Sequence, residues 1–194
     1  MNGLLEKYHE YYRLVGCRAE YELEDGTIIE LKYEQNGFAH LIGMHKLKDI
    51  HLIQLWQDSS VGNVRAKEVI RNIKNEKLTE REVMNSKFFP VIKDRYDRFS
   101  YDNLTTLNYT DAIVNFDANM IGSKIKSNYI LFEETTKGEY NHMGIVYKPD
   151  VEEAYIETFF YESKDTYIKG QKVVKVKSLR IVDACGRIIV EDSF

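Results

Sequence analysis

Residues 36–57 read NGFAHLIGMHKLKDIHLIQLWQ and carry the strongest structural signal in the chain. The stretch holds three of the five histidines and the only tryptophan. Spacing of about 100° per residue places a set of apolar side chains on one face of a helix. That set is Phe38, Leu41, Ile42, Leu52, Ile53 and Trp56, and a second, nearly opposite face holds His40, Met44, Leu47 and His51. A helix with two apolar faces packs between layers, so the pattern predicts a buried central helix over Phe38–Gln57.

The histidines of this predicted helix have two interpretations. His45 lies within the apolar stripe, and Asp49 follows one turn later, where it can hold the imidazole. On that interpretation His45 is a hydrogen-bonded core residue. The other interpretation groups His40, His45 and Lys46 as part of a functional site, because buried imidazoles gain little from a core unless each has a partner.

The first half of the chain is predicted to be largely helical after an early hairpin. Asp25-Gly26 separates two β-prone runs and indicates the hairpin. Thr79, followed three residues later by Glu82, is typical of a capping box at a helix start. The predicted elements are helix 3–15, strands Arg18–Leu23 and Thr27–Tyr33, and helices Val64–Asn75, Thr79 onward and Ser86–Phe99.

The second half changes to strand periodicity, with short connections that favour an antiparallel meander. We therefore predict an α+β fold in which N-terminal helices and a β-hairpin precede a C-terminal antiparallel meander packed on the central helix. The predicted organisation is a single domain over residues 1–194. It comprises a helix and hairpin extension (1–35) and a core (36–183) with a helical insertion (64–103).

Composition narrows the class of protein. Two cysteines among 194 residues form neither a disulfide framework nor a zinc motif, and the net charge is −4. The two histidines five residues apart diverge by about 140° on a straight helix, which is poor geometry for one metal ion. No nucleotide-binding signature and no apolar run of membrane-spanning length occurs. We expect a cytoplasmic protein with no metal, no cofactor and no membrane association.

A late strand, YIETFFY over residues 155–161, offers further polar groups. Strict alternation places Thr158 with Ile156 and Phe160 on one face, and Tyr161 on the other. Residues 164–180 contain six basic side chains and one acidic side chain, Asp165. Such a run is typical of a phosphate-contacting surface or of a solvated strand edge, and Lys169 and Lys172 are its candidates for substrate binding.

The motifs FAHLIGMHKLKDI and ETFFYESKDTYIKGQK together resemble the phage and mobile-element nucleases grouped with barnase, EndoU, colicin E5/D and RelE. The resemblance is strongest to the fourth phage-borne subfamily and covers roughly residues 36–180. It implies helices packed on a four-stranded antiparallel meander and metal-independent cleavage of RNA. Carried onto this chain, the helix motif supplies His40, His45 and Lys46, and the strand motif supplies Thr158, Tyr161 and Lys169.

Two functions follow from the sequence. The first is an endoribonuclease that cleaves RNA with histidines as acid and base. It would act as a toxin or in conflict between mobile elements. The second is a catalytically silent phage protein that binds a protein partner, an antitoxin or a host factor. The acidic net charge, the 14 tyrosines and the pairs Glu133-Glu134 and Glu152-Glu153 favour the second.

Overall fold

A computed structural model describes residues 3–58, 64–105, 109–149 and 153–194. The chain divides into two compact units. Unit 1 consists of Met1–Arg13 and Glu34–Tyr101, and unit 2 of Leu14–Tyr33 and Asp102–Phe194. The pair Glu152-Glu153 noted in the sequence falls partly outside the described residues.

Unit 1 is helical. An aromatic cluster supports it: the ring of Phe38 meets Tyr8 at 5.3 Å and Phe99 at 5.5 Å, both edge to face. All three side chains are buried, so the start of the predicted central helix is fixed against the N-terminal helix. The helices of the described residues are α1 (Gly3–Tyr12), α2 (Gly37–Leu41), α3 (His51–Gln57), α4 (Ala66–Lys74), α5 (Glu80–Met84), α6 (Lys93–Arg98) and α7 (Tyr101–Thr105), with 3-10 turns at Met44–Lys46, Phe89–Val91 and Ala118–Ile121.

The single central helix predicted over Phe38–Gln57 is wrong. The stretch folds as α2, the 3-10 turn Met44–Lys46 and α3. Gly43 causes the break, because its φ of 89° lies in the left-handed region that ends helices. Hydrophobic periodicity does not register such a break, since the apolar residues on either side keep a helical spacing.

The capping box predicted at Thr79 is confirmed. The Thr79 side chain accepts a hydrogen bond from the Glu82 amide, and the Glu82 carboxylate accepts one from the Thr79 amide at 2.8 Å. The helix predicted over Ser86–Phe99 is shorter, since Pro90 lies in the 3-10 turn and α6 begins only at Lys93.

Unit 2 contains a closed barrel of seven strands, which confirms the α+β class but corrects the predicted simple meander. Strand order is β1-β2-β6-β5-β4-β3-β7, and β7 also pairs with β1, which closes the ring. An eighth strand extends it beside β7. The strands are β1 (Arg18–Leu23), β2 (Ile28–Lys32), β3 (Asp111–Val114), β4 (Tyr129–Thr136), β5 (Glu139–Lys148), β6 (Glu153–Glu162), β7 (Val173–Val182) and β8 (Ile188–Ser193).

The early hairpin is part of this barrel. Its first strand pairs with β7 over Arg18–Leu23, and its second pairs with β6. The β2–β6 pairing is parallel, and the other pairings between the described strands are antiparallel. Closure satisfies strand edges that an open meander would leave exposed.

Candidate functional site

In unit 1 the two motif histidines lie against each other. The rings of His40 and His45 are stacked, with centroids 4.2 Å apart and planes 15° apart. The break at Gly43 makes this possible, because on the predicted straight helix the two rings would diverge. His40 is exposed and His45 is half-buried, with its Nδ1 atom enclosed. That atom has no hydrogen-bond partner among the described residues.

The surroundings of His45 are cationic. The pKa of His45 is lowered to about 3, first by burial and then by His40, Arg95 and Lys46 in that order of effect, while a hydrogen bond with the His40 backbone opposes the shift. Burial also lowers the pKa of Lys46, with Arg95 as the second cause. His45 is therefore neutral at physiological pH, and a neutral imidazole can accept a proton.

Arg95 is the member of this cluster that the sequence reasoning missed. It lies in α6, half-buried, and burial lowers its pKa to about 10. Its Nη1 atom donates to the Leu41 carbonyl at 3.5 Å. The sequence offers no signal for it, because an arginine in a helix 50 residues from His45 looks like any solvated helix residue.

Asp49 does not have the predicted role of holding His45. Its carboxylate accepts hydrogen bonds from Ser86 Oγ at 2.5 Å and from the Lys87 amide at 2.9 Å. It therefore fixes the segment that follows α5. The predicted pairing assumed a continuous helix, and the turn at Met44–Lys46 removes the one-turn spacing between the two residues.

In unit 2 a β-bulge changes the predicted faces of the late strand. Thr158 pairs with Gly144 and Ile156 pairs with Ile145, so Glu157 is the extra residue of β6. Ile156 and Thr158 consequently do not share a face, contrary to strict alternation. The Glu157 carboxylate accepts hydrogen bonds from Ser127 Oγ at 2.7 Å and from the Lys126 amide.

Thr158 itself is buried against the backbone of β5. A Cβ atom at Gly144 would lie 2.9 Å from Thr158 Cγ2 and would clash with Ser127 Oγ. A side chain at position 144 would therefore require Ser127 and Thr158 to shift. Tyr161 is half-buried opposite Asn141, on the other face of the strand from Thr158.

The two candidate substrate-binding lysines are exposed. Lys169 lies in the turn between β6 and β7, and its amide donates to the Asp165 carbonyl at 2.8 Å. Lys172 forms an ion pair with Asp25 at 3.3 Å. The resemblance assigns site residues to both units, His40, His45 and Lys46 in unit 1 and Thr158, Tyr161 and Lys169 in unit 2. Their joint role stays a prediction.

A second buried histidine, His142, was not predicted as a site residue. It is fully buried in β5, and its ring stacks on Phe160 at 4.6 Å with planes 2° apart. Neither ring nitrogen has a hydrogen-bond partner among the described residues. Burial lowers its pKa to about 3, so the ring is neutral and acts as an aromatic core residue.

Unit 2 also has an acidic cleft of about 800 Å³. Asp111, Glu133 and Glu134 line it, together with Lys175, which pairs with Asp111 at 2.7 Å. Glu133 is buried and accepts a hydrogen bond from the side-chain Nδ2 of Asn141 at 2.7 Å. Three carboxylates against one lysine make this cleft unfavourable for a phosphate and favourable for a cationic group.

No group of three or more histidine, cysteine, aspartate or glutamate side chains within the described ranges could hold a metal ion.

Comparison with models of protein families gives a match for this chain. Residues 4–186 match the family described as phage-Barnase-EndoU-ColicinE5/D-RelE like nuclease4. The chain belongs to this family. The match extends the resemblance noted in the sequence, since it covers the early hairpin and the helical insertion as well as both motifs. Searches of curated proteins and of solved structures each found no match.

A nuclease must bind a phosphodiester, so family membership makes the cationic cluster of unit 1 the candidate functional site. His40, His45, Lys46 and Arg95 all lie within the matched residues.

In the part of the chain that the structure describes, every helix is too short or too polar to cross a membrane.

Proposed function

We propose that this chain is a metal-independent endoribonuclease in which His45 removes the proton of a ribose 2′-OH. The stacked pair of imidazoles beside Lys46 is the observation that carries the proposal. The half-buried ring of His45 is neutral and can act as a base, and the exposed ring of His40 stacked on it is the proposed acid.

The chemistry needs no further reagent. Proton transfer to His45 lets the 2′-oxygen attack phosphorus, which forms a 2′,3′-cyclic phosphate as the bond to the 5′-oxygen breaks. His40, or alternatively Tyr161, gives a proton to the departing oxygen. Lys46 stabilises the charge that develops on the phosphorane. Thr158, Lys169 and Lys172 remain proposed contributors from unit 2, the first as a positioning group and the lysines as phosphate contacts.

The test is cleavage of a mixed RNA pool in excess EDTA, with detection of cyclic phosphate ends. His45→Ala and His40→Ala proteins should each lose activity by at least about a hundredfold, as expected for removal of an acid or base. His51→Ala is the matched control, since His51 lies in the same stretch with an exposed side chain. Cleavage that requires added metal, or that survives both substitutions, rejects the mechanism.

A second candidate function is binding of a protein partner, an antitoxin or a host factor. The acidic cleft of unit 2 favours it, because both residues of the pair Glu133-Glu134 line the cleft together with Asp111. A basic partner segment would match its charge. A stoichiometric partner that binds His45→Ala protein but not Glu134→Lys protein, without RNA cleavage, would support this function over catalysis.

As a nuclease of a phage family, the protein would act as a toxin or in competition between mobile elements. Growth arrest on induction in a bacterial host, relieved by His45→Ala and accompanied by RNA fragmentation, is the outcome expected for a toxin.

A further inference from the structure

We propose that Arg95 is a phosphate-binding residue that, with Lys46, holds an RNA phosphodiester beside His45. The inference rests on the proposed function and deepens it, because it names the group that receives the phosphate. It also identifies Gly43 as the residue that allows this arrangement.

The geometry at Gly43 brings α6 onto the turn that carries the histidine. A Cβ atom at Gly43 would lie 2.8 Å from Ile92 Cγ2 and 3.3 Å from Arg95 Cδ. The arginine stem therefore packs on the backbone of the residue that begins the turn at Met44–Lys46. Its guanidinium reaches the Leu41 carbonyl, in the helix that carries His40. One arginine thus contacts the backbone at two points, Leu41 and Gly43, in the segment that links the two stacked histidines.

The charges around this turn repel one another. Arg95 acts electrostatically on both His45 and Lys46, and in each case it disfavours the protonated form. Half-buried cations near enough to act on each other cost free energy in the protein without ligand, because burial strengthens their repulsion. A bound anion reverses that cost, and perturbed groups of this kind concentrate at functional sites.

The chemistry of the guanidinium selects the ligand class. Its planar donors match two oxygens of a phosphate, whereas the Lys46 ammonium acts as a point charge. A phosphodiester placed between them would lie next to a neutral imidazole whose Nδ1 atom lacks a partner in the described residues. The negative charge of the ligand would also raise the pKa of His45, so the base would strengthen when substrate binds.

The experiment measures binding separately from cleavage. A fluorescent 2′-O-methyl RNA, which lacks the attacking hydroxyl, is titrated with protein and followed by anisotropy. Arg95→Gln should weaken binding by about tenfold or more, because a charged hydrogen-bond pair to phosphate is lost. Arg95→Lys keeps the charge without the planar donors and should fall in between. Arg81→Gln, at an exposed arginine of α5 in the same unit, is the matched control and should stay within about twofold.

A second measurement reports on His45 in the unsubstituted protein. Its imidazole proton resonance is titrated against pH with and without inorganic phosphate. Phosphate should raise the pKa of His45 by at least about one unit, and Arg95→Gln should abolish that shift. The resonance is assigned by its absence in His45→Ala protein.

The outcomes separate this inference from the proposed function. Binding that depends on Arg95 but not on Arg81, in a protein that cleaves no RNA, supports the phosphate site and rejects the nuclease. Cleavage that depends on His45, with RNA binding unchanged in Arg95→Gln, rejects the phosphate site and leaves the nuclease standing. If Arg95→Gln does not fold, a His45 resonance that ignores phosphate in the unsubstituted protein overturns the inference.

Discussion

Replacement of His142 by phenylalanine should remove a large part of the acid sensitivity of the barrel. The imidazole is fully buried between aromatic neighbours, stacked on Phe160 and with Tyr167 at 5.7 Å. Phenylalanine keeps a planar ring in that stack and eliminates two ring nitrogens that have no hydrogen-bond partner in the described residues. The rings of Tyr140 and Tyr167 face it, and burial, with Glu134 and Asp165 nearby, raises the pKa of Tyr140, so that this phenol stays neutral over the acidic range.

The magnitude follows from the difference in proton affinity between the folded and unfolded states. Burial lowers the pKa of His142 from 6.5 to about 3, so on acidification the unfolded chain takes up the proton first. Stability that is complete above pH 6.5 is therefore lost as pH falls toward 3. At 1.36 kcal/mol per pH unit, the loss from this residue is about 2 kcal/mol at pH 5 and about 3.4 kcal/mol at pH 4.

The assay is urea unfolding of both proteins at a series of pH values, followed by far-ultraviolet circular dichroism for the sheet. Fluorescence of Trp56, which lies in unit 1, follows the other unit. Between pH 7.5 and pH 5 the free energy of unfolding of the unsubstituted protein should fall by about 2 kcal/mol more than that of His142→Phe. His51→Gln, at an exposed histidine, controls for simple removal of an imidazole and should follow the unsubstituted protein.

Parallel pH dependences for the unsubstituted and His142→Phe proteins would refute the reasoning. That result would mean that the imidazole is protonated in the folded barrel or that it titrates alike in both states. A uniform shift in stability at all pH values would reflect packing alone, since the added ring volume costs or gains free energy without regard to protons.

Three further substitutions test the local structure. Gly43→Ala should lower the free energy of unfolding by about 1–2 kcal/mol, as measured by thermal unfolding. The residue has a positive φ, and a methyl group there would clash with Ile92. Thr79→Ala removes the side-chain acceptor at the start of α5 and should cost about 1 kcal/mol in chemical denaturation. Asp49→Asn should lower the melting temperature, because it weakens the hydrogen bond from Ser86. A change in the pKa of His45 in this variant, measured by NMR, would contradict that role and indicate the Asp49–His45 pairing predicted from sequence.

The sequence identified several local features because adjacent residues determine them. The hairpin at Asp25-Gly26 forms as predicted, since that turn needs a glycine in the left-handed region, and Gly26 has a φ of 85°. The capping box at Thr79 depends on two side chains three residues apart. The family resemblance likewise depends on residues that lie together in two short motifs. Each of these features depends on residues close together in the chain, so the sequence specifies it without knowledge of the fold.

Tertiary structure decided the features that depend on distant partners. Periodicity predicted one helix over Phe38–Gln57, but the approach of Ile92 and Arg95 to Gly43 accompanies a break that stacks His40 on His45. The meander closes into a barrel because strands far apart in the chain, β1 and β7, pair with each other. A local pattern contains no information about which distant edge a strand will meet, or which helix will pack on a turn. The cation beside His45 and the burial of His142 are set by such contacts, and for that reason only the folded chain reveals them.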